Sequence, residues 1–110
     1  MRLISAAVMC ALVATGVACG DSSGPSTGSG TNVSVVNNRF DPTTLNLSGG
    51  NTVTWTWNSG GTVHNVTFAD GIGNSGDQGS GTHQRTFTVP GTYLYECTIH
   101  PGMSGSIVVP

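Results

Sequence analysis

The sequence predicts an all-β fold, a Greek-key β-sandwich of about seven to eight short strands. Three observations lead there. From Val33 onward the apolar residues recur with a period of two rather than 3.6. Clusters of Gly, Pro, Asn and Asp interrupt that pattern at short intervals, as turns between strands do. Finally, 17 of the 110 residues are glycine and only 7% are charged, a composition unsuited to a coiled coil or a solvated helical bundle. No segment carries a helical period of useful length, and the chain has no internal repeat.

The elements follow in chain order. Met1 and Arg2 lead into an uncharged run, residues 3–18, that ends in Gly16-Val17-Ala18. A basic start, an apolar stretch and a small-x-small triplet make residues 1–18 a secretory signal peptide. The run sits at the lower edge of the roughly 17–25 residues that span a bilayer and has no basic stop behind it, so cleavage is expected rather than anchoring. Cleavage after Ala18 leaves Cys19 first, and the segment resembles the lipobox of bacterial lipoproteins, with Gly16 replacing the usual aliphatic. Cys19 is therefore a candidate lipidation site, with soluble export as the alternative. Residues 19–31 have no apolar side chain to bury and read as a Gly/Ser-rich tether. The expected location is the periplasm or cell envelope.

Residues 32–110 form the expected folded domain. Residues 33–36 and 44–47 supply two strands, separated by the Asp41-Pro42 turn. Val53, Trp55 and Trp57 alternate with Thr52, Thr54 and Thr56, which marks a half-buried strand with both indoles in the core. His64, Val66 and Phe68 share one parity, which places His64 on a strand and facing inward. Residues 70–84 are almost all Gly, Ser, Asp, Asn and Gln, and predict a long mobile loop in which His83 is solvated. Arg85, Phe87 and Val89 form the next alternation, then Tyr93, Tyr95 and Cys97, with Glu96 facing out; Ile107 and Val109 close the last strand.

The chemistry concentrates near the C-terminus. Cys10 leaves with the signal peptide and Cys19 lies at the new terminus, so Cys97 stands alone in the domain without a disulfide partner. A lone thiol in an exported protein is a liability unless it is buried or ligated. Cys97-Thr98-Ile99-His100-Pro101-Gly102-Met103 sets a thiolate, an imidazole and a thioether three residues apart in one strand-ending loop. His64 adds a second imidazole from an earlier strand. Two His, one Cys and a weak axial Met are the donors of a blue-copper electron-transfer site. Zinc competes for such donors, but structural zinc sites favour two or more thiolates.

The run from Gly91 to Met103 resembles the copper loop of the cupredoxins, with the Cys-x-x-His-x-x-Met spacing of the amicyanins rather than that of the plastocyanins. Residues 53–58 and 63–66 match the other ligand region of that family. The resemblance implies one copper ion in a type 1 site held by His64, Cys97, His100 and Met103. It implies that Asn65 and Thr98 tie the two ligand loops together. It further implies an electron port at the exposed edge of His100, with Ile99, Pro101 and Gly102 in an apolar surface where a redox donor and acceptor dock. Ile99 and Gly102 depart from the Pro and Phe of the amicyanins, and Glu96 directly before the cysteine is a further departure.

The expected function is that of an exported one-electron carrier, monomeric, touching a membrane only through a lipid on Cys19. The alternatives are a copper storage or delivery protein and a metal-free interaction module of the same fold. With three arginines and no lysine, the chain lacks the cationic footprint that nucleic acid requires. Paired carboxylates, a Ser/His/Asp set and a phosphate loop are all missing, so an enzyme is not expected.

Overall fold

The computed structural model describes residues 25–110; the expected signal peptide, Cys19 and the first part of the tether lie outside the described residues. Among the described residues there are nine strands and no helix: β1 (Thr27–Gly30), β2 (Asn32–Val36), β3 (Arg39–Asp41), β4 (Thr44–Leu47), β5 (Thr52–Trp57), β6 (Thr67–Phe68), β7 (Thr82–Thr86), β8 (Gly91–Glu96) and β9 (Ser104–Val109). They form a sandwich of two sheets, ordered β1-β4-β9-β8-β6 and β3-β2-β5-β7. Apart from the β2–β3 and β8–β9 hairpins, every connection crosses from one sheet to the other.

Alternation decides which side chains meet between the sheets. In β5, Val53 and Trp55 are wholly buried and Trp57 nearly so, while the threonines between them are half-exposed. Their neighbours are Val33 and Val35 of β2, paired in parallel with Trp55 and Trp57. From the opposite sheet, Tyr95 and Phe68 meet Trp55 edge-on at 5.5 and 5.6 Å, and Phe40 packs on Tyr95 at 4.7 Å. Edge-to-face rings suit the aromatic quadrupole, and full burial of an apolar side chain contributes about 1.5–3 kcal/mol.

Three stretches depart from the sequence reading. Thr27–Gly30 was expected in the tether but forms β1, parallel to β4. It buries no large side chain; backbone bonds hold it, Thr44 N–H to Ser26 O at 2.8 Å and Ser48 N–H to Gly30 O at 3.1 Å. β3 exists because Asn37-Asn38 makes a tight turn, with Asn38 at φ 65° in the left-handed region that Asn tolerates. The third is the loop of residues 70–84, which is stitched down rather than free. Val66 N–H donates to Ser75 Oγ at 2.8 Å, Phe68 N–H to Asn74 Oδ1 at 2.7 Å, and Ser75 N–H to Val66 O at 2.9 Å. Thr82 to Gln84 already belong to β7, so His83 is a half-buried strand residue whose Nε2 lies 2.7 Å from Gly73 O.

Candidate metal centre

Two chain segments build the site. Cys97 follows β8 directly, and residues 97–103 fold back so that Cys97 N–H donates to Met103 O at 2.9 Å and Met103 N–H to His100 O at 3.1 Å. Gly102 at φ 86° supplies the backbone conformation that closes this turn. Cys97 and Met103 are both 2% exposed, His100 is half-buried, and Ile99, Pro101 and Gly102 face solvent.

The other segment carries His64, and here strict alternation fails. His64, Asn65 and Val66 are all buried in succession, and His64 lies on an isolated bridge to Gln78 instead of a regular strand. Both of its backbone groups bond to Gln78, at 3.0 Å each, and Trp57 Nε1–H adds a bond to His64 O at 3.3 Å. The His64 backbone is thus clamped from two sides.

His64 Nδ1, His100 Nδ1 and Cys97 Sγ converge within 4.8 Å of one another. The two nitrogens are 3.0 Å apart, and the sulfur lies 3.9 Å from His64 Nδ1 and 3.6 Å from His100 Nδ1. With bonds of about 2.0 Å to nitrogen and about 2.3 Å to sulfur, donors around a single transition-metal ion sit roughly 3–4 Å apart, so this trio fits one. Two imidazole lone pairs facing each other at that separation repel unless a proton or cation lies between them. His64 Nε2 faces Asn37 Oδ1 at 3.4 Å, which assigns the ring proton to Nε2 and leaves the Nδ1 lone pair toward the trio. Burial, and secondarily the neighbouring His100, hold the His64 pKa below its usual value, which favours the neutral ligating form.

Asn65 and Thr98 bond to each other across the two segments. Asn65 Nδ2 donates to Thr98 Oγ1 at 2.9 Å, Thr98 N–H donates to Asn65 Oδ1 at 3.1 Å, and Asn65 N–H points at Cys97 Sγ from 3.4 Å. The sequence reading missed Asn37, Gln78 and Asp77, whose Oδ1 accepts from Asn65 Nδ2 at 2.9 Å. Asn37 is one of two adjacent asparagines after a predicted strand, and the other two residues sit in a polar stretch with nothing to distinguish them from solvated loop residues.

The sequence profile of copper-binding proteins of the plastocyanin/azurin family matches residues 29–110. The chain belongs to this family. As a cupredoxin it takes copper as its cofactor, and the sulfur and imidazole donors described above are the kind a type 1 site requires. Amicyanin-alpha of Methylorubrum extorquens is 36% identical over 85 residues, covering 72% of this chain and 71% of the relative. An amicyanin of Paracoccus denitrificans is 36% identical over 83 residues, and there the match covers 70% of this chain and 63% of the relative. A solved structure of an oxidised amicyanin mutant superposes with a TM-score of 0.64 at 30% identity, over 73% of this chain and 81% of that one. The all-β sandwich and the cupredoxin resemblance expected from the sequence both hold.

Proposed function

We propose that this chain is an exported type 1 (blue) copper protein that passes single electrons between two redox partners by outer-sphere transfer, with His64, Cys97, His100 and Met103 as its ligands. The observation that carries this reading is the convergence of one thiol and two imidazole nitrogens at a buried point, reached from two separately clamped segments. When bound, copper supplies the one-electron couple.

The protein's own residues perform the rest. Cys97 and Met103 offer soft sulfur and the imidazoles offer borderline nitrogen, so the donor set suits both oxidation states. Asn65, Thr98 and Gln78 hold the donors in place before metal arrives, so little rearrangement accompanies electron transfer. His64 is wholly buried and keeps water out; His100 reaches the surface beside Ile99, which is 44% exposed. That edge is where a donor or acceptor would dock. A cavity of about 500 Å3 lies elsewhere, lined by Phe68, Leu94, Glu96 and Ser104 among others, and includes none of the four proposed ligands. The likeness to the amicyanins supports reading the centre as a carrier site rather than that of an enzyme. Export rests on the pattern of residues 1–18, and lipid attachment on Cys19; mass spectrometry of the mature protein would detect cleavage and any acyl adduct.

The test is a visible spectrum and a voltammogram of protein purified with added copper. Intense blue absorption from thiolate to Cu(II) and a reversible one-electron wave are expected. Cys97→Ser should be colourless. Met103→Leu should keep copper and raise the reduction potential, since losing a donor and drying the site both disfavour the more highly charged ion. Colourless wild-type protein holding Cu(I) tightly would indicate storage or delivery and overturn the carrier reading.

A further inference from the structure

We propose that Asp77 is a positioning residue of the metal centre: together with the Thr98 N–H its carboxylate sets which way the Asn65 carboxamide faces, and Asn65 in turn joins the His64 segment to the Cys97 loop. The proposal rests on the copper-carrier reading above. Asn65 is 3% exposed, and all its side-chain valences are used. Nδ2 donates to Thr98 Oγ1 and to Asp77 Oδ1, both at 2.9 Å, while Oδ1 accepts from Thr98 N–H at 3.1 Å and Thr67 Oγ1–H at 2.8 Å.

These four partners are not equal. The hydroxyls of Thr67 and Thr98 can donate or accept, so they would serve the carboxamide in either orientation. Thr98 N–H can only donate and an ionised carboxylate can only accept, so those two groups alone distinguish the orientations. Among the described residues, Asp77 is the one side chain that does so. A flipped carboxamide would set oxygen against oxygen at Asp77 and NH2 against the Thr98 N–H. Asp77 is itself fixed relative to the site, because the next residue, Gln78, makes the paired backbone bonds to His64. A loop with no metal-binding residue of its own in the sequence reading thus specifies the link between the two ligand segments.

The test compares wild type, Asp77→Ala and Asp77→Asn, with Asp70→Ala as a control from the other end of the same loop. In copper-free protein, NMR should find the Asn65 side-chain NH2 protons protected from exchange in wild type and Asp77→Asn, and less protected in Asp77→Ala, where the bond to Thr98 Oγ1 alone remains. In copper-loaded protein, Asp77→Ala should release copper to a chelator faster, by up to about tenfold, the low end for groups that bond a metal ligand directly, because Asp77 acts through Asn65, and it should shift the reduction potential. Asp77→Asn, whose carboxamide oxygen can still accept from Asn65 while the Thr98 N–H holds Asn65 in the same orientation, should restore both, and Asp70→Ala should leave both at wild-type values. The proposal is overturned if Asp77→Ala keeps the Asn65 signals as protected as in wild type or matches Asp70→Ala in release and potential. It is equally overturned if Asp77→Asn behaves like Asp77→Ala. A wild-type chain that takes up no copper would sink the carrier reading instead, and the carboxamide signals would then decide the role of Asp77.

Discussion

Gly105 shows how narrowly single positions of this sandwich are specified. It stands in β9 opposite Tyr95 of β8, and a Cβ there would lie 2.6 Å from both Cζ and Oη of the tyrosine. The ring cannot retreat, because Phe40, Trp55 and Phe68 pack around it with centroids 4.7, 5.5 and 5.2 Å away. Gly105→Ala is therefore expected to destabilise the protein by about 1–3 kcal/mol, the usual cost of overpacking a filled core, and a thermal melt would measure it. Unchanged melting would mean that Tyr95 is not confined as described. In the sequence this glycine looked like any of the others in a glycine-rich chain, since its neighbour across the sheet is ten residues away along the polypeptide.

At the scale of elements, the loop between β6 and β7 is held at both ends. Near the metal centre it bonds to His64 and Asn65; at the far end the Arg85 guanidinium donates to Asp70 Oδ1 and Oδ2 at 3.1 and 2.8 Å and to Ile72 O at 2.8 Å. Arg85 also lies over the rings of Phe68, Phe87 and Tyr93, 4.4 to 5.1 Å from their centroids, and its side chain is only 10% exposed. The hydrogen bonds from Arg85, with a further one from Ile72 N–H, hold the Asp70 carboxyl below the usual carboxylate pKa. A carboxyl with a depressed folded-state pKa stabilises the fold above its unfolded value, and this contribution disappears as pH falls through the folded value. Melting temperature followed downward from pH 6 should therefore fall less steeply in Asp70→Asn than in wild type. Parallel curves would show that the ion pair contributes nothing to acid sensitivity. Composition suggested mobility here because Gly, Ser and Asn bury nothing; the order comes from side-chain oxygens and an arginine in the next strand, which composition does not report.

For the whole molecule, the thin core is the governing fact. Cys97 is a free thiol, and no disulfide joins the described strands. A ligand that binds only the folded state at about 1,000 times its Kd adds about 4 kcal/mol, and the ligands here come from segments that meet only on folding. Copper loading should accordingly raise the melting temperature by at least about 10 °C in a domain of this size. Calorimetry of copper-free and loaded protein would check this, and coincident transitions would contradict it.

The strand period, the inward indoles of β5 and the Cys-x-x-His-x-x-Met spacing from Cys97 to Met103 are legible along the chain, because each is a local pattern of side chains on one stretch of backbone. By contrast, His64 leaving the strand pattern for a clamped bridge, residues 27–30 joining a sheet and Asp77 reaching Asn65 emerge only once the chain is folded. Those features depend on hydrogen bonds between groups distant in the chain. Such bonds are satisfied by common polar residues, so they leave no periodic or compositional mark on the sequence that encodes them.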